Sequence, residues 1–150
     1  MESHQYVFIE DKVEIYKAAR VISSTEDELV VVTFENAETT VTVNKSLVYP
    51  IYSLEELESP PSDLILLSIV HRPAILQTLR SRFFANEIYT NVGAILVAVN
   101  PFKKIMGLYD ASVMKDFSSS IASDRPHVFG VTQGAYDGLR RGKSQSLIIR

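Results

Sequence analysis

Ile88-Tyr89-Thr90-Asn91-Val92-Gly93-Ala94-Ile95-Leu96-Val97-Ala98-Val99-Asn100-Pro101-Phe102-Lys103 carries no charge before its last residue, and Asn91, Gly93 and Asn100 interrupt its apolar run. The stretch is too short and too polar to cross a membrane. Ile88-Tyr89-Thr90 and Ala94 to Val99 read instead as two strands about Asn91 to Gly93. The second is apolar enough to be buried on both faces. Asn100-Pro101 ends it, because proline has no amide to give to a ladder.

Downstream of this hairpin, a short helix is expected over Ala111 to Phe117, followed by the polar loop Ser118-Ser119-Ser120. Another helix opens at Ser123 or Asp124 with Pro126 in its first turn, and its apolar stripe is Val128, Val131, Ala135 and Leu139. Ser146-Leu147-Ile148-Ile149 is a strand-like run. Upstream, Pro73 can start a helix whose stripe is Ile75, Leu76, Leu79 and Phe83, with Gln77, Arg80 and Arg82 elsewhere around it. Before that, Ser62 or Asp63 can cap a helix through Leu64, Leu67 and Ile69 that stops short of Pro73. Ser53 and Glu56 have capping-box spacing for a short helix, which Pro60-Pro61 terminates.

From Gln5 to Tyr49 the pattern changes to short β-branched runs between polar breaks: Tyr6 to Ile9, Val13 to Ile22, Leu29 to Phe34, Thr39 to Val43 and Leu47 to Tyr49. About five short strands, with Glu35-Asn36-Ala37-Glu38 suited to a hairpin loop, fit a small SH3-like barrel. Charge divides the chain at the same place. Through Glu58 there are 4 Lys/Arg against 12 Asp/Glu, a net −8; the remainder has 11 against 6, a net +5. Two units with a boundary near residue 60 follow from that split.

Several function classes are excluded. The chain has no cysteine, so disulfides and thiolate metal sites are ruled out, and His4, His71 and His127 are too far apart for a local zinc motif. No metal site is expected. The cationic residues of the second half are scattered among apolar ones, which does not make a nucleic-acid surface. Met1-Glu2-Ser3-His4 lacks the basic start of a signal peptide and no apolar segment follows, so a cytoplasmic location is expected. Glu26-Asp27-Glu28 reads as a solvated loop, and no nucleophile-elbow sequence frames any serine.

The ordered blocks resemble the start of the myosin head. The resemblance begins with Asp63-Leu64, Leu67, His71, Pro73, Leu76, Leu79, Arg82 and Phe83. It is strongest at Ile88-Tyr89-Thr90, Gly93 and Leu96 to Lys103. Pro126-His127-Val128-Phe129, Ala135-Tyr136 and Gln145 to Ile149 extend it in the same order. It covers about residues 63 to 150. The implied architecture is a small N-terminal SH3-like β-barrel with its connector (residues 1–58), then the first helices and strands of a P-loop NTPase-type motor core (residues 59–150). The resemblance further implies that Asn100, Pro101, Phe102 and Tyr109, with Lys103 and Lys104, lie on the adenine side of an ATP site. A flat apolar wall with an amide and a phenol is what a purine requires. The partner it implies is actin and the location is the cytoplasmic cytoskeleton.

Two departures accompany the match: the interval from Asn100 to Tyr109 is one residue longer than the commonest family spacing, and Arg150 stands where Ser or Thr is usual. The family's phosphate loop, G-x-x-x-x-G-K-T, would begin just after Arg150, and the switch segments, Mg²⁺ ligands and actin-binding region further on. The chain therefore holds no catalytic residue of that chemistry and is not expected to hydrolyse ATP alone. Gly138-Leu139-Arg140-Arg141-Gly142-Lys143-Ser144 only imitates such a loop: three residues separate its glycines where four are needed, and it follows a helix instead of preceding one. It reads as a helix stop at Gly142 and a turn. A different class of function, a non-enzymatic interaction protein that binds a partner through the acidic barrel, is the competing expectation.

Overall fold

The β-branched runs of the first fifty residues form strands β1 (Tyr6–Asp11), β2 (Ile15–Ser24), β3 (Glu28–Thr33), β4 (Thr40–Asn44) and β5 (Tyr49–Pro50). All pair antiparallel in the order β4-β3-β2-β1-β5. The computed structural model describes residues 5–35, 38–119 and 124–150. It divides into two units, residues 1–60 with 66–78 and residues 61–65 with 79–150.

In the first unit, period-two alternation places Val7 and Ile9 of β1 on one face with Ala19, Leu29 and Val31, and Val21, Val43 and Val48 pack around them. Phe8 points the other way and is equally buried, edge-on to the His71 ring at 5.8 Å. His71 ties this face together: its Nε2 donates to the Pro50 carbonyl at 2.9 Å and its Nδ1 accepts the Ala74 amide at 3.1 Å. The register of β2 with β3 slips between Val21 and Ser23, so Ile22 is an unpaired bulge and half exposed. Glu26 and Asp27 are exposed in a turn closed by Thr25, whose amide reaches the Glu28 carbonyl at 2.9 Å.

Some local expectations give way to longer-range bonds. The last strand is shorter than the expected Leu47 to Tyr49 run, because the Asn44 side chain accepts the Ser46 amide and winds Lys45–Leu47 into a 3₁₀ turn. Ser53 and Glu56 do not form a capping box. Helix α1 is a single turn, Glu55–Glu58, with Leu54 at its N-cap, and Glu56 Oε1 instead accepts from both Ser68 N (2.8 Å) and Ser68 Oγ (2.6 Å). Likewise the helix expected through Ile69 is only a 3₁₀ turn, Leu64–Leu66. Pro73 does open α2 (Arg72–Phe84), but its most buried line is Ala74, Thr78 and Arg82, one position round from the expected stripe.

In the second unit α2 ends in a Schellman motif: Asn86 adopts φ 62°, Asn86 N bonds Phe83 O and Glu87 N bonds Arg82 O. The chain then enters β6 (Tyr89–Val92) and β7 (Ile95–Ala98), an antiparallel hairpin closed by Gly93-Ala94 with Gly93 at φ 58°. Ser62 and Asp63 lie along the other edge of β6. Ser62 O takes the Asn91 amide at 2.9 Å, and Asp63 Oδ1 takes those of Ile65 (3.1 Å) and Gly93 (3.0 Å). Among the described residues β7 pairs with β6 alone, and it is not buried on both faces as expected; Ile95 is 67% exposed.

Two helices follow, α3 (Ala111–Ser118) and α4 (Val128–Arg140). The start expected for α4 at Ser123 or Asp124 is not realised. Ser123, with Ser120 of the expected polar loop and Asn36-Ala37 of the expected hairpin loop, lies outside the described residues, and the N-cap is His127, whose ring accepts the Phe129 amide. At the other end Gly142 takes φ 74°, with Gly142 N on Leu139 O and Lys143 N on Gly138 O, so the glycine-lysine pair closes a helix. Ser146 to Ile149 forms no strand, since no described strand lies beside it, and Ile148 and Ile149 are exposed.

The β1–β2 loop carries backbone strain. Ile15, which ends the β1–β2 loop, has φ 70°, a region that costs a β-branched residue about 1–2 kcal/mol. Its side chain is 59% exposed, so little burial offsets that cost. Ile15→Asn is expected to stabilise the chain by about 1 kcal/mol in urea unfolding, because asparagine tolerates this conformation. A variant less stable than the parent would show that the Ile15 side chain holds the hairpin.

Candidate functional site

Arg82 decides how α2 joins β6. Its guanidinium is buried, with 6% of the residue exposed, and each of its three nitrogens has a partner: Nε donates to Thr90 Oγ1 at 3.0 Å, one terminal nitrogen to the Tyr89 carbonyl at 2.9 Å, and the other to Glu87 Oε2 at 2.7 Å. A rigid fork of donors suits three acceptors set around a turn, which lysine could not satisfy together. β6 is thereby fixed to the end of its helix.

At the far end of the hairpin, the Val99 amide bonds the Ile88 carbonyl at 3.0 Å. Asn100 Oδ1 then accepts the Phe102 amide at 2.9 Å, turning the chain sharply, with Phe102 at φ 50°. The loop after this turn bounds a cleft of about 420 Å³. Pro101, Lys103, Lys104, Tyr109 and Asp110 line it together with Ile88 and the 105–108 segment. Asn100 and Phe102 do not line it: the Asn100 amide oxygen is engaged by the turn, and Phe102 is 92% exposed. A second cleft, of about 510 Å³, shares Ile88 and residues 105–108 with the first and includes Arg125 and His127.

Behind Tyr109 lies a set of rings that sequence reasoning passed over. The Tyr109 hydroxyl is 2.7 Å from that of Tyr89. His127 packs against Tyr89, Tyr109, Phe117 and Phe129, with ring centroids between 4.7 and 5.7 Å. Arg125 lays its guanidinium over Phe117 at 5.5 Å. His127 Nδ1 accepts the Phe129 amide at 3.0 Å, which leaves the proton on Nε2, and this donates to the Leu108 carbonyl at 3.0 Å. Burial holds the His127 pKa below its ordinary value; the Leu108 carbonyl opposes this and Arg125 reinforces it. Burial, and then the bond to Tyr109, push the Tyr89 phenol well up. The available signal was Pro126-His127 directly before an apolar helix: a histidine in N-cap position can cap as Asn does.

Among the described residues no three His, Asp or Glu side chains converge to hold a metal ion, and no helix is long and apolar enough to cross a membrane. Residues 61–150 match the family profile of the myosin head (motor domain), and residues 2–51 that of the myosin N-terminal SH3-like domain. The chain belongs to the myosin family. Myosin-8 of Arabidopsis thaliana is 34% identical over 149 residues, which is 96% of this chain and 10% of that protein. Myosin-6 of the same plant is 33% identical with the same coverage, and Myosin-13 is 38% identical over 115 residues, 73% of this chain and 7% of that protein. This myosin chain spans about a tenth of the length of Myosin-8 and Myosin-6.

The His127 site makes stability depend on pH in a defined direction. Above the unfolded-chain value of about 6.5 the ring is neutral in both states and contributes no pH dependence. As pH falls through that value the unfolded chain takes up a proton that the folded site refuses, so stability falls, by up to about 1.4 kcal/mol per pH unit. Urea unfolding at pH 7.5 and 5.5 should show this loss, and His127→Asn, which keeps a cap acceptor but does not titrate, should reduce it. An equal loss in parent and variant would contradict the assignment.

Proposed function

We propose that residues 100–110 form the base-side wall of an ATP site in the opening part of an actin-based motor head. Residues 1–58 are read as its SH3-like barrel and connector, and residues 59–150 as the first part of a P-loop NTPase-type core. The observation that carries this reading is the convergence of Pro101, Lys103, Lys104 and Tyr109 on one cleft directly after the Asn-Pro turn. Membership of the myosin family supports it.

The residues present divide the work by chemistry. Pro101 and the Tyr109 ring offer apolar faces to a purine, and the Tyr109 hydroxyl offers a polar contact at its edge. Lys103 and Lys104, offset in part by the Asp110 carboxylate, leave the cleft net positive, which favours a phosphorylated ligand over a neutral one at low salt. Asn100 acts through the backbone, by holding the turn that presents Pro101. Phe102 stands outside the cleft and is open to solvent.

The chain contains no G-x-x-x-x-G-K-S/T sequence, Gly142-Lys143 ends a helix, and no metal cluster forms among the described residues. In the complete site ATP with Mg²⁺ supplies the phosphoryl group that is transferred, and this chain's contribution is to seat the base. Actin binding and a place in the cytoplasmic cytoskeleton are proposed for the whole protein on family grounds.

The test is a titration of the ¹⁵N-labelled chain with adenosine and with ATP. A wall open on one side should hold adenosine at about 1 mM, which is roughly −4 kcal/mol. Shifts should concentrate in residues 100–110, ATP should bind only a few-fold tighter, and no ATP should be hydrolysed. Tight ATP binding without adenosine binding, or turnover by this chain, would overturn the reading.

A further inference from the structure

We infer that Tyr89 and His127 are positioning residues for Tyr109, holding its ring at the cleft so that its outer side can meet a base. The inference rests on the base-side reading of residues 100–110 and adds what makes that wall rigid.

The loop that carries Tyr109 has no regular structure of its own. Gly107 sits at φ 80° and Met106 is 79% exposed. A ring on such a loop would lose much of its grip on a ligand to the entropy of ordering. Three contacts remove that freedom. The His127 Nε2 proton holds the Leu108 carbonyl, one residue before Tyr109. The Tyr89 hydroxyl meets the Tyr109 hydroxyl at 2.7 Å. The Tyr109 ring rests against His127 at 5.7 Å and Phe129 at 6.1 Å. Tyr109 is nevertheless 55% exposed, so part of its surface stays open to a ligand.

The chemistry of the anchors favours this role over plain packing. Tyr89 is a buried residue, 9% exposed, and phenylalanine would fill the same space without the cost of burying a phenol. Among the described residues the hydroxyl is paired with that of Tyr109. His127, 2% exposed, could be an ordinary N-cap through Nδ1 alone, yet its second nitrogen is used on the Tyr109 loop. Arg82 extends the chain of support inward, since it holds the Tyr89 carbonyl at 2.9 Å.

Adenosine affinity and the ring signals of ¹³C-labelled tyrosine test this in the 150-residue chain, with Tyr89→Phe, Tyr109→Phe, their double variant and His127→Asn. Tyr89→Phe should weaken adenosine binding about 3- to 10-fold, the worth of one hydrogen bond. The double variant should be no weaker than Tyr109→Phe, because Tyr89 acts only through Tyr109. His127→Asn keeps an acceptor for Phe129 but cannot reach Leu108, and should weaken binding by a similar factor. In the ligand-free protein both Tyr89→Phe and His127→Asn should move the Tyr109 ring signals. Additive losses in the double variant, or unmoved Tyr109 signals in either single variant, would overturn the assignment of that residue. If the parent chain takes up no adenosine at all, the base-side reading fails, while the ligand-free ring signals still decide whether Tyr89 and His127 position Tyr109.

Discussion

The guanidinium of Arg82 sits in the turn between α2 and β6, and the arrangement of the second unit depends on its three bonds to Thr90, the Tyr89 carbonyl and Glu87. A buried charge is tolerated only when its donors are taken up, and a planar fork takes up three at once with little loss of freedom. The consequence runs along the strand. With the backbone at Tyr89 fixed, its side chain can reach the Tyr109 hydroxyl, and with Tyr109 fixed the loop after Asn-Pro has a defined inner wall.

Histidine serves as a joint in both units. His71 and His127 each accept a helix-opening amide on Nδ1 and donate from Nε2 to a carbonyl of an earlier segment, Pro50 in one case and Leu108 in the other. Neutral imidazole is the side chain that offers an acceptor and a donor on opposite sides of a flat ring. It caps a helix and ties down a loop in one step. At His127 the ring is also the hub of an aromatic cluster, so cap, loop anchor and packing share a single residue.

Much of this was legible in the residues. The β-branched runs placed β1 to β4, Gly93 marked the hairpin turn, Pro73 opened α2, and Gly142 stopped α4. These signals are local, so local chemistry suffices to read them. The failures share one physical cause, which is competition from a distant partner. Glu56 looked like half of a capping box with Ser53, but Ser68 supplies two donors to it. Asp63 looked like a helix cap, but also takes the Gly93 amide thirty residues on, and the helix shrinks to a turn. Arg82 was placed away from the apolar stripe because its acceptors exist only once the α2–β6 turn has formed. Of the candidate site, Pro101, Lys103, Lys104 and Tyr109 come together, whereas Asn100 and Phe102 are set apart by the turn that Asn100 makes. The supporting residues Tyr89 and His127 went unread as a site because their partners are other side chains and a carbonyl of the loop, which no spacing rule encodes.

The clefts on either side of residues 105–108 give the central claim a direct geometric alternative. Intermolecular nuclear Overhauser contacts from the H2 and H8 protons of adenosine to assigned side chains would place the base in one or the other. Contacts to Pro101 and to the Tyr109 ring are expected, with Lys103 and Lys104 nearest the ribose. Contacts confined to Arg125, Val113 and Ser62, or none at saturating adenosine, would contradict the base-side assignment.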